Sequence, residues 1–196
     1  MRMAEPVEAL LLDIAACRHC EAYLPHGPRP VLRAAPNSRI LLAGQAPGRK
    51  VHESGIPWQD ASGERLRDWL GVDAAQFYDA SRFAIVPMGF CYPGAGRSGD
   101  LPPRPECRAL WHPRLLPLLR DVRLVLAVGE YAQAYHLPQR KKTLTKTVAA
   151  WREYWPAVVP LPHPSPRNQL WLRRNPWFQS ELLPALRILV RETLAG

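Results

Sequence analysis

The sequence predicts an α/β fold: a three-layer α/β/α sandwich around a central, mostly parallel, four-stranded sheet. Three observations predict it. Four short runs rich in Val, Ile and Leu recur along the 196 residues, each ending in Gly, Pro or a polar residue. The runs are apolar throughout and do not alternate, the pattern of strands covered on both faces. Segments with helical spacing fall between them, and alternating strands and helices build a parallel sheet flanked by helices.

In chain order, "PVEALLLDIAAC" (6–17) reads as the first helix and "RILLAGQ" (39–45) as the first strand. "SGERLRDWLGV" (62–72) places Leu66, Trp69 and Leu70 at helical spacing, with Gly71 as its stop. The second and third strands are expected in "RFAIVPMGF" (82–90) and "RLVLAVGEYA" (123–132), with a helix broken by prolines at 109–119 between them. A helix over 143–155 leads to the fourth strand in "AVVPLPHPSP" (157–166), and a helix over 176–194, kinked at Pro184, closes the chain. No internal repeat or long linker divides the sequence, so residues 1–196 are expected to form a single domain.

Hydrophobic residues make up 47% and charged residues 22%, the balance of a soluble globular protein. No apolar run approaches the roughly 20 residues of a membrane span. Glu5, Glu8 and Asp13 interrupt the apolar start, which argues against a signal peptide. No membrane partner is expected. The expected location is the cytoplasm of a bacterial cell, in association with the nucleoid, where structural disulfides are disfavoured. The net charge of +9, carried mostly by arginine, fits phosphate contacts and a nucleic-acid partner. A generally basic surface gives the same count.

Ligands of open parallel sheets bind beyond the carboxyl ends of the strands. Three chemically rich stretches sit there: "GQAPGRKVHESGIPWQD" after the first strand, "CYPGAGRSGD" after the second and "HPSPRN" after the fourth. Glycines around a proline let backbone approach a ligand closely. Prolines on either side of His163 stiffen the loop that presents it.

Cys17 and Cys20 form a CxxC pair, and Cys91 and Cys107 follow far downstream. The second pair lacks zinc-ribbon spacing. The CxxC lies in a helical segment and not after a thioredoxin-type strand. Four thiolates bind either zinc or a 4Fe–4S cluster, and spacing alone does not choose.

Together, "GQAPG" (44–48) and "HPSPRN" (163–168) resemble the motifs of the uracil-DNA glycosylase superfamily. "GQAPGRKVHESGIPW" is similar to the iron–sulfur family 4 version, which runs Gly-Glu-Ala-Pro-Gly and on to Gly-Arg-Pro-Phe. "LRRNPWF" (172–178) is similar to the segment after the family 4 histidine, and "HPSPRN" is closer to the single-strand-selective type. The resemblance covers roughly residues 10–180. It implies a DNA repair enzyme, acting as a monomer on single- or double-stranded DNA, that flips uracil or a related modified base from the stack and hydrolyses its N-glycosidic bond. It implies His163 as donor to the leaving base, with Gly44, Gln45, Ala46, Pro47 and Gly48 lining the base pocket. It implies that Trp58 stacks on the base, and that Ser165, Arg167, Asn168, Arg173 and Arg174 contact DNA. It also implies a structural 4Fe–4S cluster on Cys17, Cys20, Cys91 and Cys107, with zinc as the alternative metal.

The sequence departs from that pattern at two places. The acid that family 4 carries shortly after the first motif is Val51 here, which leaves His52, Glu53 and Asp60 as its candidate replacements. The superfamily asparagine that reads the base is replaced by Pro87, so that Pro87 and Met88 stand at the pocket's recognition position. These departures keep three function classes in view: a glycosylase for uracil or for another modified base, a DNA-binding or damage-sensing module without catalysis, and a cluster-bearing redox protein. DNA binding through phosphates predicts affinity that falls steeply with salt.

Overall fold

The computed structural model describes residues 6–97 and 99–196. Four strands, β1 (Ile40–Ala43), β2 (Phe83–Ile85), β3 (Leu124–Val128) and β4 (Val158–Leu161), form one sheet in the order β2-β1-β3-β4. Every pairing is parallel, so the carboxyl ends of all four strands emerge at one edge.

Each strand buries both faces, which explains the unbroken apolar runs. Ile40, Leu42, Phe83, Ile85, Leu124 and Leu126 face a core shared with helices α3 (Ala61–Leu70) and α9 (Leu183–Ala195). Within that core Trp69 meets Phe178 edge-on, ring centroids 4.8 Å apart. Leu41, Ala84 and Val86 face the opposite core, built on α1 (Val7–Ala15) and α5 (Pro105–Leu115). This is the three-layer sandwich that the sequence predicts.

The strands are shorter than their apolar runs, for local reasons. Pro87 has no N–H to continue β2. Gly129 turns at φ +81° and starts α6 (Gly129–His136) directly from β3. Short helices α2 (Arg49–Ser54), α4 (Ala74–Tyr78), α7 (Leu144–Ala149) and α8 (Gln169–Arg174) complete the fold. Gly71 ends α3 in the left-handed conformation at φ +68°, as read from the sequence. Pro184 follows a wide π turn over Phe178–Leu182, which accommodates its ring and missing N–H at the start of α9.

Both sheet edges are covered or blunted. On the β2 side, Arg33 pairs antiparallel with Ile85: its amide donates to the Ile85 carbonyl at 3.0 Å, and its carbonyl accepts the Ile85 amide at 2.6 Å. On the β4 side, the Val158 amide turns outward to the Tyr154 carbonyl at 3.0 Å. Pro160, two residues on, faces the same way and presents no N–H. Among the described residues no helix is long and apolar enough to cross a membrane.

Candidate active site

Beyond the carboxyl ends of β1, β2 and β4 lies a cleft of about 860 Å³. The loops that the sequence singles out meet there. Its lining includes Gly44, Gln45, Ala46, Pro47 and Gly48 from the turn after β1, Trp58 and Asp60 from the approach to α3, Pro87 after β2, and His163, Ser165, Arg167 and Asn168 after β4.

Trp58 is held in an unusual backbone conformation, φ +57°, the only positive φ at a non-glycine among the described residues. A left-handed tryptophan persists only where its surroundings over-determine it, and such residues cluster at functional sites. Here Arg67 and the Tyr78 hydroxyl donate to the Trp58 carbonyl at 3.3 and 3.4 Å. The indole lies against the first motif: a Cβ on Gly44 would stand 3.1 Å from its ring. Across the cleft mouth its ring centroid is 5.7 Å from that of His163.

His163 is fixed by its own loop. The Ser165 amide donates to Nδ1 at 3.2 Å, so Nδ1 is the acceptor and Nε2 carries the proton in the neutral ring. The Asn168 side chain donates to the His163 carbonyl at 2.7 Å, and Arg65 of α3 donates to the Ser165 carbonyl at 3.1 Å. Burial pushes the imidazole below the ordinary histidine range, against the opposing pull of Asp60 and Asp100. The result is a neutral N–H donor placed beside an aromatic face.

Several residues expected at the site stand elsewhere. His52 packs its ring against His26 and Tyr92, and Glu53 pairs with Arg49 along α2; neither lines the cleft. The cause is α2 itself, which the sequence reading omitted. It turns these side chains away while Val51, at the family's acid position, faces the cleft. Met88 is buried with Ala43, Ala127 and Ala132 beneath the cleft. Arg173 and Arg174 are exposed at the end of α8 and do not line it. Asp60 does line it, and its carboxylate also caps α3 by accepting the Gly63 amide at 2.8 Å.

The Pro87 ring carries no hydrogen-bonding group, and its carbonyl is already engaged by His112 Nε2 at 3.0 Å. The next two amides are also used, Met88 to Gly44 at 2.9 Å and Gly89 to Gln45 at 3.0 Å. The end of β2 therefore offers no free amide at residues 87–89. Asp100, which sequence reasoning missed, lines the cleft from the loop between Cys91 and Cys107. Its signal is present in "GAGRSGD": glycines that permit a tight loop, followed by a carboxylate.

All four cysteines line a second pocket, formed where the segment after α1 meets the start of α5. Each is partly exposed and none is in a disulfide. Burial pushes the Cys91 thiol up to about 11 and Cys107 to about 12. Among the described residues no three His, Cys, Asp or Glu side chains are grouped as they would be around a single metal ion. The donor set is nonetheless four sulfurs bordering one space, which fits a sulfur-ligated centre.

Residues 33–187 match the family model of the uracil DNA glycosylase superfamily. The match covers most of the chain and includes the cleft loops after β1, β2 and β4.

Proposed function

The chain belongs to the uracil DNA glycosylase superfamily, whose members are DNA glycosylases, and we propose that it excises uracil or a related modified base from DNA by hydrolysing the N-glycosidic bond. The observation that carries this reading is the pairing of Trp58 and His163 across the cleft, 5.7 Å between centroids. As the bond breaks, the sugar becomes cation-like and the base leaves as an anion. A neutral N–H donor aimed at that developing charge stabilises the transition state. The aromatic face of Trp58 supplies a platform for a base flipped out of the stack, worth on the order of 1–3 kcal/mol.

Ser165, Arg167 and Asn168 stand at the cleft rim, where the flanking DNA backbone passes in this reading. Arg167 meets phosphate there. With residues 87–89 offering no free amide, recognition of the base passes to other lining groups. This favours a base other than uracil as strongly as uracil itself.

A 4Fe–4S cluster of the family 4 type is held by Cys17, Cys20, Cys91 and Cys107 in this reading. Their four sulfurs border one pocket, and a cluster needs four thiolates. When bound, it supplies a cross-link between the segment after α1 and the 91–107 loop.

The test is a panel of oligonucleotides, single- and double-stranded, each carrying one modified base. Strand breaks after alkali report the abasic product. Excision by the wild type, lost in His163→Ala, supports the reading. DNA binding without abasic sites on any member of the panel overturns it in favour of a damage-sensing protein.

A further inference from the structure

Hydrolysis needs a group to handle water, and the two carboxylates nearest the first motif in sequence each hold a structural contact through one oxygen. Glu53 pairs with Arg49 at 2.9 Å outside the cleft. Asp60 lines the cleft but accepts the Gly63 amide as the cap of α3, a bond that fixes the start of that helix. One other carboxylate lines the cleft among the described residues, Asp100.

The fold takes trouble to place it. Ala95 bridges antiparallel to Asp100, and the Leu101 amide donates to the Gly94 carbonyl at 2.8 Å. Gln45, from the turn after β1, reaches across and donates its side-chain amide to the Leu101 carbonyl at 3.0 Å. The first motif thus grips the residue next to Asp100. The Tyr92 hydroxyl lies beside the carboxylate and favours its ionised form. A Cβ on Gly48 would lie 3.3 Å from Asp100 Oδ2, so the side chain rests against the turn that walls the base pocket. Asp100 is exposed, so water reaches it.

Resting on the glycosylase reading above, we propose that Asp100 is the catalytic residue that orients the attacking water and takes its proton. The water oxygen bonds to C1′ of the sugar, and one water proton passes to the Asp100 carboxylate. The C1′–N bond breaks with its electron pair going to the base, which accepts a hydrogen bond from His163 and then one proton from solvent. Asp100 returns its proton to solvent. The products are an abasic sugar with a C1′ hydroxyl and the free base, with no other reactant.

Desolvation by the cleft walls raises the Asp100 carboxyl above the ordinary carboxylate range; Asp60 adds to the rise, while Tyr92, His163 and Arg167 oppose it. A carboxylate whose pKa is raised is a stronger base than one at the ordinary value. It also means that ionised Asp100 costs the native state some stability at neutral pH.

The test compares wild type, Asp100→Asn, Asp100→Glu and His163→Ala in single-turnover excision of the base that the wild type removes, with DNA affinity and melting temperature measured on each. Asp100→Asn is expected to slow excision by about 10²–10⁴-fold. Its DNA affinity stays near wild type and its melting temperature is unchanged or higher. Its residual rate lacks the acid limb that the wild type shows above the ordinary carboxylate range. Asp100→Glu is expected to recover part of the rate. Asp100→Asn at wild-type rate, or slowed only in step with a lowered melting temperature and with the acid limb intact, overturns the role of Asp100 alone. Absence of excision by the wild type overturns the glycosylase reading, and the role of Asp100 with it.

Discussion

Gly63 lies so close to Trp58 that a Cβ on Gly63 would stand 1.7 Å from the Trp58 carbonyl oxygen. The same carbonyl is gripped by Arg67 and Tyr78. The left-handed turn at Trp58 therefore depends on a glycine one helical turn into its neighbour. Gly63→Ala is expected to cost about 1–3 kcal/mol of stability, the range of overpacking, and to move the indole. A urea titration read by tryptophan fluorescence checks both; an unchanged midpoint would contradict the geometry.

His163 keeps its proton on Nε2 because Ser165 occupies Nδ1. Its folded-state pKa is lowered by burial. The neutral form therefore persists from neutral pH to below 6.5; as pH falls through the lowered value Nε2 keeps its proton, but Nδ1 gains one and loses the bond from the Ser165 amide that aims the ring, so excision is expected to fall only there. His163→Ala is expected to lower the excision rate by about 10²-fold or more, with DNA affinity little changed. Rates measured between pH 5 and 8 test the sign.

His112 is fully buried, and burial lowers its pKa from 6.5 to about 4. The unfolded chain takes up this proton more readily than the folded one. Stability is therefore fully present above pH 6.5 and is lost as pH falls towards 4, by about 3 kcal/mol for this group. His112→Gln keeps an N–H for the Pro87 carbonyl and removes the titration. Its denaturant midpoint is expected to fall less between pH 6.5 and 4 than that of the wild type.

Anaerobically purified protein is expected to be brown and to contain iron. Cys91→Ser is expected to lose the iron and to melt at a lower temperature, because the cross-link between the segment after α1 and the 91–107 loop is gone. Stoichiometric zinc in colourless wild-type protein would replace the cluster with the alternative metal.

Arg167 stands at the cleft rim on the loop that carries His163. Arg167→Ala is expected to weaken binding to all DNA sequences alike and to reduce the slope of log affinity against log salt by about 1. A change confined to one modified base would instead assign Arg167 to base recognition.

The sheet was legible because strands buried on both faces leave unbroken apolar runs, and Ile40–Ala43 and Leu124–Val128 lie inside theirs. Of the short helices, α7 falls within the helix read over 143–155, but α2, α4 and α8 were not legible. Ala74–Tyr78 has only five residues, too few for a 3.6-residue period to declare itself, and its capping box of Asp73 and Gln76 was the sole local signal. At the site, Trp58 and His163 were readable because each sits in a distinctive Gly/Pro frame. His52 and Glu53 were misjudged because a six-residue helix rotates them away from the cleft. Asp100 escaped notice because its partners are distant: Gln45 reaches its neighbour Leu101 across 56 positions of chain, a relationship that no local pattern encodes.

The treatment of the sheet's flanks bears on association between molecules. A parallel sheet with an open outer strand is a template on which a second molecule, native or half-folded, can lay down its own backbone. Here Arg33 already occupies one flank and Pro160 withholds a donor on the other. Neither flank therefore presents an unbroken row of backbone donors on which a second strand could be laid down.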